Sequence, residues 1–247
     1  MDAVVVSHNN APDIAALLAC EPLREAFERV VVVDNGSSDE TLGVARDLGA
    51  VVLRRHNRGF AAGVNAGAAA ARGSAFAVLN PDVGFAAPDV AHRLARHLES
   101  PAVGMAAPGL ELPGGALQDS AREVPSPVDL CRRRFWRQRP DEVRSERPVA
   151  VAWVVAACMV ISREAFEAVR GFDERYFLYF EDVDFAVRLR RAGYAIVYDP
   201  TVRVLHAHAA ASNGPVASWA TRQHIRSAAT FYSRHAGYLF PRRMRTP

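Results

Sequence analysis

Five short apolar runs punctuate the first hundred or so residues: "VVVS" from Val4, "VVVVD" from Val30, "VVLR" from Val51, "AFAVLN" from Ala75 and "VGMAAP" from Val103. Helical text fills the gaps between them. That alternation is what a sheet with parallel strands and crossover helices writes into a chain, and it excludes an all-helical bundle or an all-β sandwich. The punctuation agrees. Pro12 stands in the first turn of a helix to Cys20. Ser37 and Glu40 have capping-box spacing for a helix to Leu48, closed by Gly49. The small-residue text "AAGVNAGAAAA" predicts a further helix, and Pro88 with Asp89 opens another.

Beyond Pro108 the pattern loosens. "LPGGALQ" reads as a hairpin turn, and residues 125–148 as a proline- and arginine-rich connection, a loop or a short helix. Order returns with the apolar run Val149 to Ile161, too short to cross a bilayer and read as a buried strand. Ser162 caps a helix over Arg163 to Val169, ended by Gly171. Two short strands, "AIVYD" and "VRVLH", and an amphipathic helix over Ala217 to Arg234 complete the order.

With 247 residues, half of them hydrophobic, the chain suits one large unit: residues 1–110, a second half over 111–214, and a C-terminal helix with a basic tail over 215–247. A formal net charge of +3 implies no dedicated nucleic-acid surface. The chain has no lysine. Cys20, Cys131 and Cys158 lack the spacing of a zinc or redox motif. The start, "AVVVSH", lacks the basic segment and cleavage site of a signal peptide, so the sequence reads as cytoplasmic.

Chemistry concentrates in "YFLYFEDVDFAVRLRRAGY", residues 176–194. At about 100° per residue, a helix here puts Asp182 on the side of Phe185, Ala186 and Leu189, and Asp184 on the opposite side with Arg188. The i,i+4 pair Asp184–Arg188 reads as an ordinary surface ion pair, and Glu181 falls near the polar edge. An inward acid is costly unless a polar cavity faces it, so Asp182 is the functional candidate.

Further polar residues end the expected strands, where open α/β sheets hold ligands: Ser7, His8 and Asn9, then Asp34, then Asn80 with Asp82, then His206. There is no GxGxxG after the first strand and no Walker A loop. Asp82 and His206 instead offer a hard oxygen and an imidazole to a divalent metal, which neutralises phosphate charge as a bond to phosphate breaks.

The ordered set "VVVSHN", "VVVDNGSSDET", "NRGFAAGVNAG", "LNPDV", "GFDERYFLYFEDVDFAVRLRRAGY" and "VRVLH" resembles the inverting family 2 glycosyltransferases, most closely their rhamnosyltransferase branch. The resemblance implies the GT-A fold, a Rossmann-like mixed central sheet flanked by helices. It also implies a nucleotide-diphosphate sugar donor, a cofactor Mg²⁺ or Mn²⁺, and direct displacement by an acceptor hydroxyl. By position, Ser7, His8, Asn9, Asp34, Asn57, Asn65, Asn80 and Asp82 border the donor, Asp82 and His206 hold the metal, and Asp182 is the catalytic base. The family's DxD motif is N-P-D here, so only Asp82 supplies charge. Trp153 and Glu181 fall on the acceptor side, with Phe177 to Phe180. The implied reaction passes L-rhamnose from dTDP-L-rhamnose to a saccharide or polyprenyl-linked saccharide in cell-envelope glycan synthesis; a UDP-sugar donor, or a nucleotide-sugar-binding protein without transfer, are the alternatives. The run "CRRRFWRQR" has two readings, a solvated loop or a peripheral contact with the inner face of the membrane through Arg132, Arg133, Arg134 and Trp136. "FPRRMR" at the C-terminus adds to the second.

Overall fold

The computed structural model describes residues 1–136, 138–139, 141–207 and 218–240. The strands are β1 (Asp2–Ser7), β2 (Arg29–Asp34), β3 (Val51–Arg54), β4 (Ala75–Leu79), β5 (Val83–Gly84), β6 (Val103–Glu111), β7 (Ala121–Arg122), β8 (Val149–Ala150), β9 (Trp153–Val154), β10 (Cys158–Ser162) and β11 (Ala195–His206). The helices are α1 (Ala11–Ala19), α2 (Glu21–Ala26), α3 (Thr41–Asp47), α4 (Phe60–Ala70), α5 (Val90–Arg96), α6 (Pro127–Trp136), α7 (Arg163–Ala168), α8 (Glu181–Arg191) and α9 (Trp219–Arg234).

The main sheet runs β3-β2-β1-β4-β10-β6-β11-β5, with β8 beside β11, while β7 and β9 form a small second sheet. Strands β3, β2, β1 and β4 are mutually parallel. β10 is antiparallel to both its neighbours, which makes the sheet mixed. Successive residues of β1 feed opposite cores: Val4 and Val6 join one apolar cluster, Ala3 and Val5 the other. A sheet covered on both faces has no solvent side, which is why these strands are written as continuous valine. The small residues of α4 serve the same packing. A Cβ on Gly67 would stand 2.2 Å from Val4 Cγ1, so the helix reaches this depth on the sheet only with glycine there.

Three expectations change in three dimensions. The run from Val149 to Ile161 breaks into β8, β9 and β10. "AIVYD" and "VRVLH" join into one strand, β11, with a register shift between Asp199 and Arg203. The helix expected from Ser37 begins at Thr41, because the Ser37 hydroxyl accepts the Asn9 N–H at 2.9 Å and Asp39 caps Thr41 instead. Residues 125–148, read as a loop or a short helix, contain the short helix α6.

Candidate active site

Ser7 and Asp34 end neighbouring strands and are register partners. Both are buried, yet Ser7 Oγ and Asp34 Oδ2 have no hydrogen-bond partner, while Asp34 Oδ1 accepts the Ser37 N–H at 3.1 Å. Buried polar atoms without partners cost stability, and two of them on register partners at a strand edge can receive a ligand with hydroxyl or amide groups. His8 is exposed beside them. Other expected donor contacts are already engaged. Asn9 Oδ1 accepts the Ser38 N–H at 2.9 Å, Asn57 Oδ1 accepts the Gly59 N–H at 3.1 Å, and the Asn65 amide exchanges hydrogen bonds of 2.9 Å with both backbone groups of Phe172. Asn9 and Asn57 shape the loops around the edge, and Asn65 ties α4 to the turn before α8.

Asp82 and His206 come together at the end of β11, where His206 pairs with Val83. His206 Nδ1 lies 2.7 Å from Gln118 Oε1, and its Nε2 faces Asp82 Oδ1 across 3.5 Å. An imidazole nitrogen and a carboxylate oxygen are donor types that suit a divalent cation, and the Gln118 contact orients the ring. Among the described residues no group of three or more His, Cys, Asp or Glu side chains could hold a metal. Among the described residues this pair supplies two donors.

The acids at the start of α8 are held by strained chain. Tyr179 and Phe180, the N-cap, adopt left-handed conformations at φ of 68° and 64°, a region non-glycine residues occupy at a cost of about 1–3 kcal/mol each. Asp182 is half-buried; Oδ1 accepts the Val183 N–H at 2.8 Å, and the Ala156 backbone also bonds its carboxylate. Burial raises its pKa to about 6, against the pull of those two amides and of the Arg122 charge. Glu181 is buried with Oε2 unpartnered, and desolvation, then the Asp182 charge, push it well above the usual carboxylate range. Residues 155–157 tie this acid to the sheet edge: Ala156 bonds Asp182, and the Ala157 carbonyl accepts the Asn80 N–H at 2.8 Å.

The helical wheel misplaces two acids. Glu181 lies inside, and Asp184 is fully buried rather than a surface group. Asp184 accepts from Arg188 at 2.6 Å, His235 at 2.8 Å and Tyr176 at 3.3 Å. The reason is that the face of α8 opposite the sheet meets not water but the end of α9, whose Phe231 and Tyr232 share its core.

Trp153, expected on the acceptor side, is 5% exposed; its Nε1 donates to Glu123 O at 2.9 Å and the Arg122 guanidinium covers its ring at 5.1 Å. Arg133, expected at a membrane surface, points inward to Asp119 and, at 2.7 Å, to Asp141. Sequence reasoning missed the residues that link these parts. Arg122 also binds Asp119 at 3.0 Å, and burial and Arg122 together lower the pKa of His224 on α9. Neither carried a pattern: one arginine after a hairpin and one histidine in an amphipathic helix have no spacing to flag them. A cleft of about 730 Å³ lined by Arg190, Tyr194 and Tyr238 lies at the other end of α8 and contains none of the candidate residues.

Solved glycosyltransferases share this architecture. A mannosyltransferase from Pyrobaculum calidifontis in complex with GDP-Man and Mn²⁺ superposes with a TM-score of 0.59 at 21% identity, covering 96% of this chain and 61% of its own. GalNAc-T7 with UDP, GalNAc and Mn²⁺ gives 0.68 at 17% identity, over 96% of this chain and 50% of its own. The fold is thus that of the GT-A glycosyltransferases. Within that class the chain belongs to glycosyl transferase family 2, whose sequence pattern residues 2–170 match. The N-acetylglucosaminyl-diphospho-decaprenol L-rhamnosyltransferase of Mycobacterium tuberculosis is 32% identical over 273 residues, covering 96% of this chain and 86% of the relative. Rhamnosyltransferase WbbL of Escherichia coli is 34% identical over 84 residues, 34% of this chain and 31% of the relative.

Proposed function

We propose that this family 2 glycosyltransferase is a metal-dependent inverting enzyme that passes L-rhamnose from dTDP-L-rhamnose to a saccharide or lipid-linked saccharide acceptor in cell-envelope glycan synthesis. The observation that carries the transfer step is Asp182, an acid kept half-buried at the head of α8 with its pKa near the working range of a general base. The sugar and the lipid-linked acceptor are supported by the 32% identical rhamnosyltransferase of M. tuberculosis.

In this reading the orphaned Ser7 hydroxyl and Asp34 carboxylate take the nucleoside, and His8 borders it. Asp82 and His206 would hold Mg²⁺ or Mn²⁺, which supplies positive charge to the leaving diphosphate. The acceptor oxygen bonds to the anomeric carbon from the face opposite the diphosphate while its proton passes to Asp182 Oδ2. The carbon–oxygen bond to phosphate breaks, and its electron pair leaves on the diphosphate, so the anomeric configuration inverts. Glu181, buried beside Asp182, raises the basicity of that acid when ionised and is a candidate hydrogen-bond donor to the acceptor when protonated.

A peripheral membrane contact is the matching partner reading. Val128, Phe135 and Trp136 of α6 are 44%, 68% and 65% exposed, and Arg132 is exposed among them. Aromatic and basic side chains on one short helix suit an anionic lipid interface. The "FPRRMR" tail reaches outside the described residues after Phe240. No described helix is long and apolar enough to cross a membrane.

The direct test is release of nucleoside diphosphate from dTDP-L-rhamnose and from UDP-sugars, with Mn²⁺ and with chelator. Metal-stimulated release from dTDP-L-rhamnose is expected. Preference for a UDP-sugar would overturn the donor assignment, and binding without any release or transfer would leave a nucleotide-sugar-binding protein.

A further inference from the structure

With Trp153 buried under Arg122, the C-terminal helix offers another aromatic surface, against the segment that leads to the base. Trp219, the first residue of α9, is 50% exposed and meets the half-buried ring of Phe177 edge to face at 6.0 Å. Phe177 is braced from the donor side. Its carbonyl accepts the Phe60 N–H at 2.9 Å, and Gly59, at φ 94°, approaches so closely that a Cβ there would stand 2.2 Å from the Phe177 oxygen. The Gly59 carbonyl in turn accepts from the Asn35 amide at 3.1 Å, one residue after Asp34.

From the base side, α9 grips the same segment. Ser227 Oγ donates to the Leu178 carbonyl at 2.8 Å, and His224 packs its ring at 5.3 Å against both Tyr179 and Phe180, the left-handed pair that leads into Glu181 and Asp182. His224 and Asp182 both lie within range of the Arg122 charge. A large, half-exposed aromatic side chain thus stands against Phe177, on a segment that is fixed from two directions and leads into the base. Rings so placed bind the C–H faces of sugars, while polar neighbours choose among their hydroxyls.

We infer that Trp219, braced by Phe177 on the segment that His224 packs against, is the platform for the sugar ring that receives the transferred group. The inference rests on the transferase reading above, and makes α9, outside the matched family region of residues 2–170, part of the acceptor site. Acceptor choice is then set by a helix that the donor half does not contain.

The test compares wild type with Trp219→Ala, Trp219→Phe and, as a control on the exposed face of α9, Ile225→Ser. A short-chain N-acetylglucosaminyl diphosphate lipid serves as the probe. Trp219→Ala should raise the acceptor KM about ten-fold with the donor KM within about two-fold, and Trp219→Phe should stay within about three-fold of wild type. Ile225→Ser should match wild type. An unchanged acceptor KM in Trp219→Ala, or an equal rise in the donor KM, overturns the inference. Tryptophan emission provides an arm that needs no turnover: the probe should quench wild type and not Trp219→Phe. Equal quenching in both, or none in wild type, also overturns it. Absence of transfer with intact, Trp219-dependent quenching would instead count against the transferase reading.

Discussion

Replacing Asp182 with asparagine should harm turnover and improve stability in the same protein. Asn keeps an oxygen for the Val183 N–H, which Asp182 Oδ1 accepts at 2.8 Å, but cannot take a proton from an acceptor hydroxyl. A positioned general base contributes about 10²–10⁴-fold, so kcat should fall by that factor while the affinity for the donor stays within about two-fold. The stability effect follows from the raised pKa. Ionisation of Asp182 is opposed in the folded state, where its pKa is about 6, and not in the unfolded chain, at 3.8. The folded state therefore holds its full advantage below pH 3.8 and loses it as pH rises through about 6. That difference corresponds to at most about 3 kcal/mol, since the side chain is half-buried and partly screened. Asn carries no such penalty. Thermal unfolding should show the variant more stable by up to roughly 6–12 °C at pH 8, with the gap closing by pH 4. In wild type, kcat/KM should fall on the acid side with an apparent pKa near 6. Near-normal turnover, or a variant less stable at pH 8 than at pH 4 relative to wild type, would refute the reasoning.

Ser7→Ala removes a buried hydroxyl that has no partner, so it should leave the urea midpoint unchanged or slightly higher while raising the donor KM; an unchanged KM would remove Ser7 from the donor site. His235→Ala takes one of three donors from the fully buried Asp184 and should cost about 1.5–3 kcal/mol in urea unfolding, a hydrogen bond to a charged group; a cost under about 0.5 kcal/mol would show that the α8–α9 contact is not held there. Arg133→Met leaves Asp119 and Asp141 without their shared cation and should destabilise by about 3–5 kcal/mol. Trp136→Ser should change stability by less than about 0.5 kcal/mol yet weaken sedimentation with anionic vesicles. Equal vesicle binding by the two forms would end the role of α6 at a membrane.

The sequence determined the parallel half of the sheet, because a strand buried on both faces must be apolar throughout, as Val4 to Val6 and Val31 to Val33 are. It also marked the strand ends, since polar residues closing apolar runs are visible without coordinates; Ser7, Asp34 and His206 do end strands, whereas the relative burial of the three acids at the head of α8 was not legible. Tertiary structure decided whatever depends on a neighbour distant in the chain. A helical wheel treats the side away from the core as water, but α9 packs there, so Asp184 became a buried ligand of His235 from 51 residues away rather than a surface pair. For the same reason Trp153, aromatic and near the expected site, was closed off by Arg122, while Trp219, which nothing in the local pattern singled out, was left half exposed against Phe177. Periodicity reports which side of an element is apolar. Only packing settles what lies against the other side.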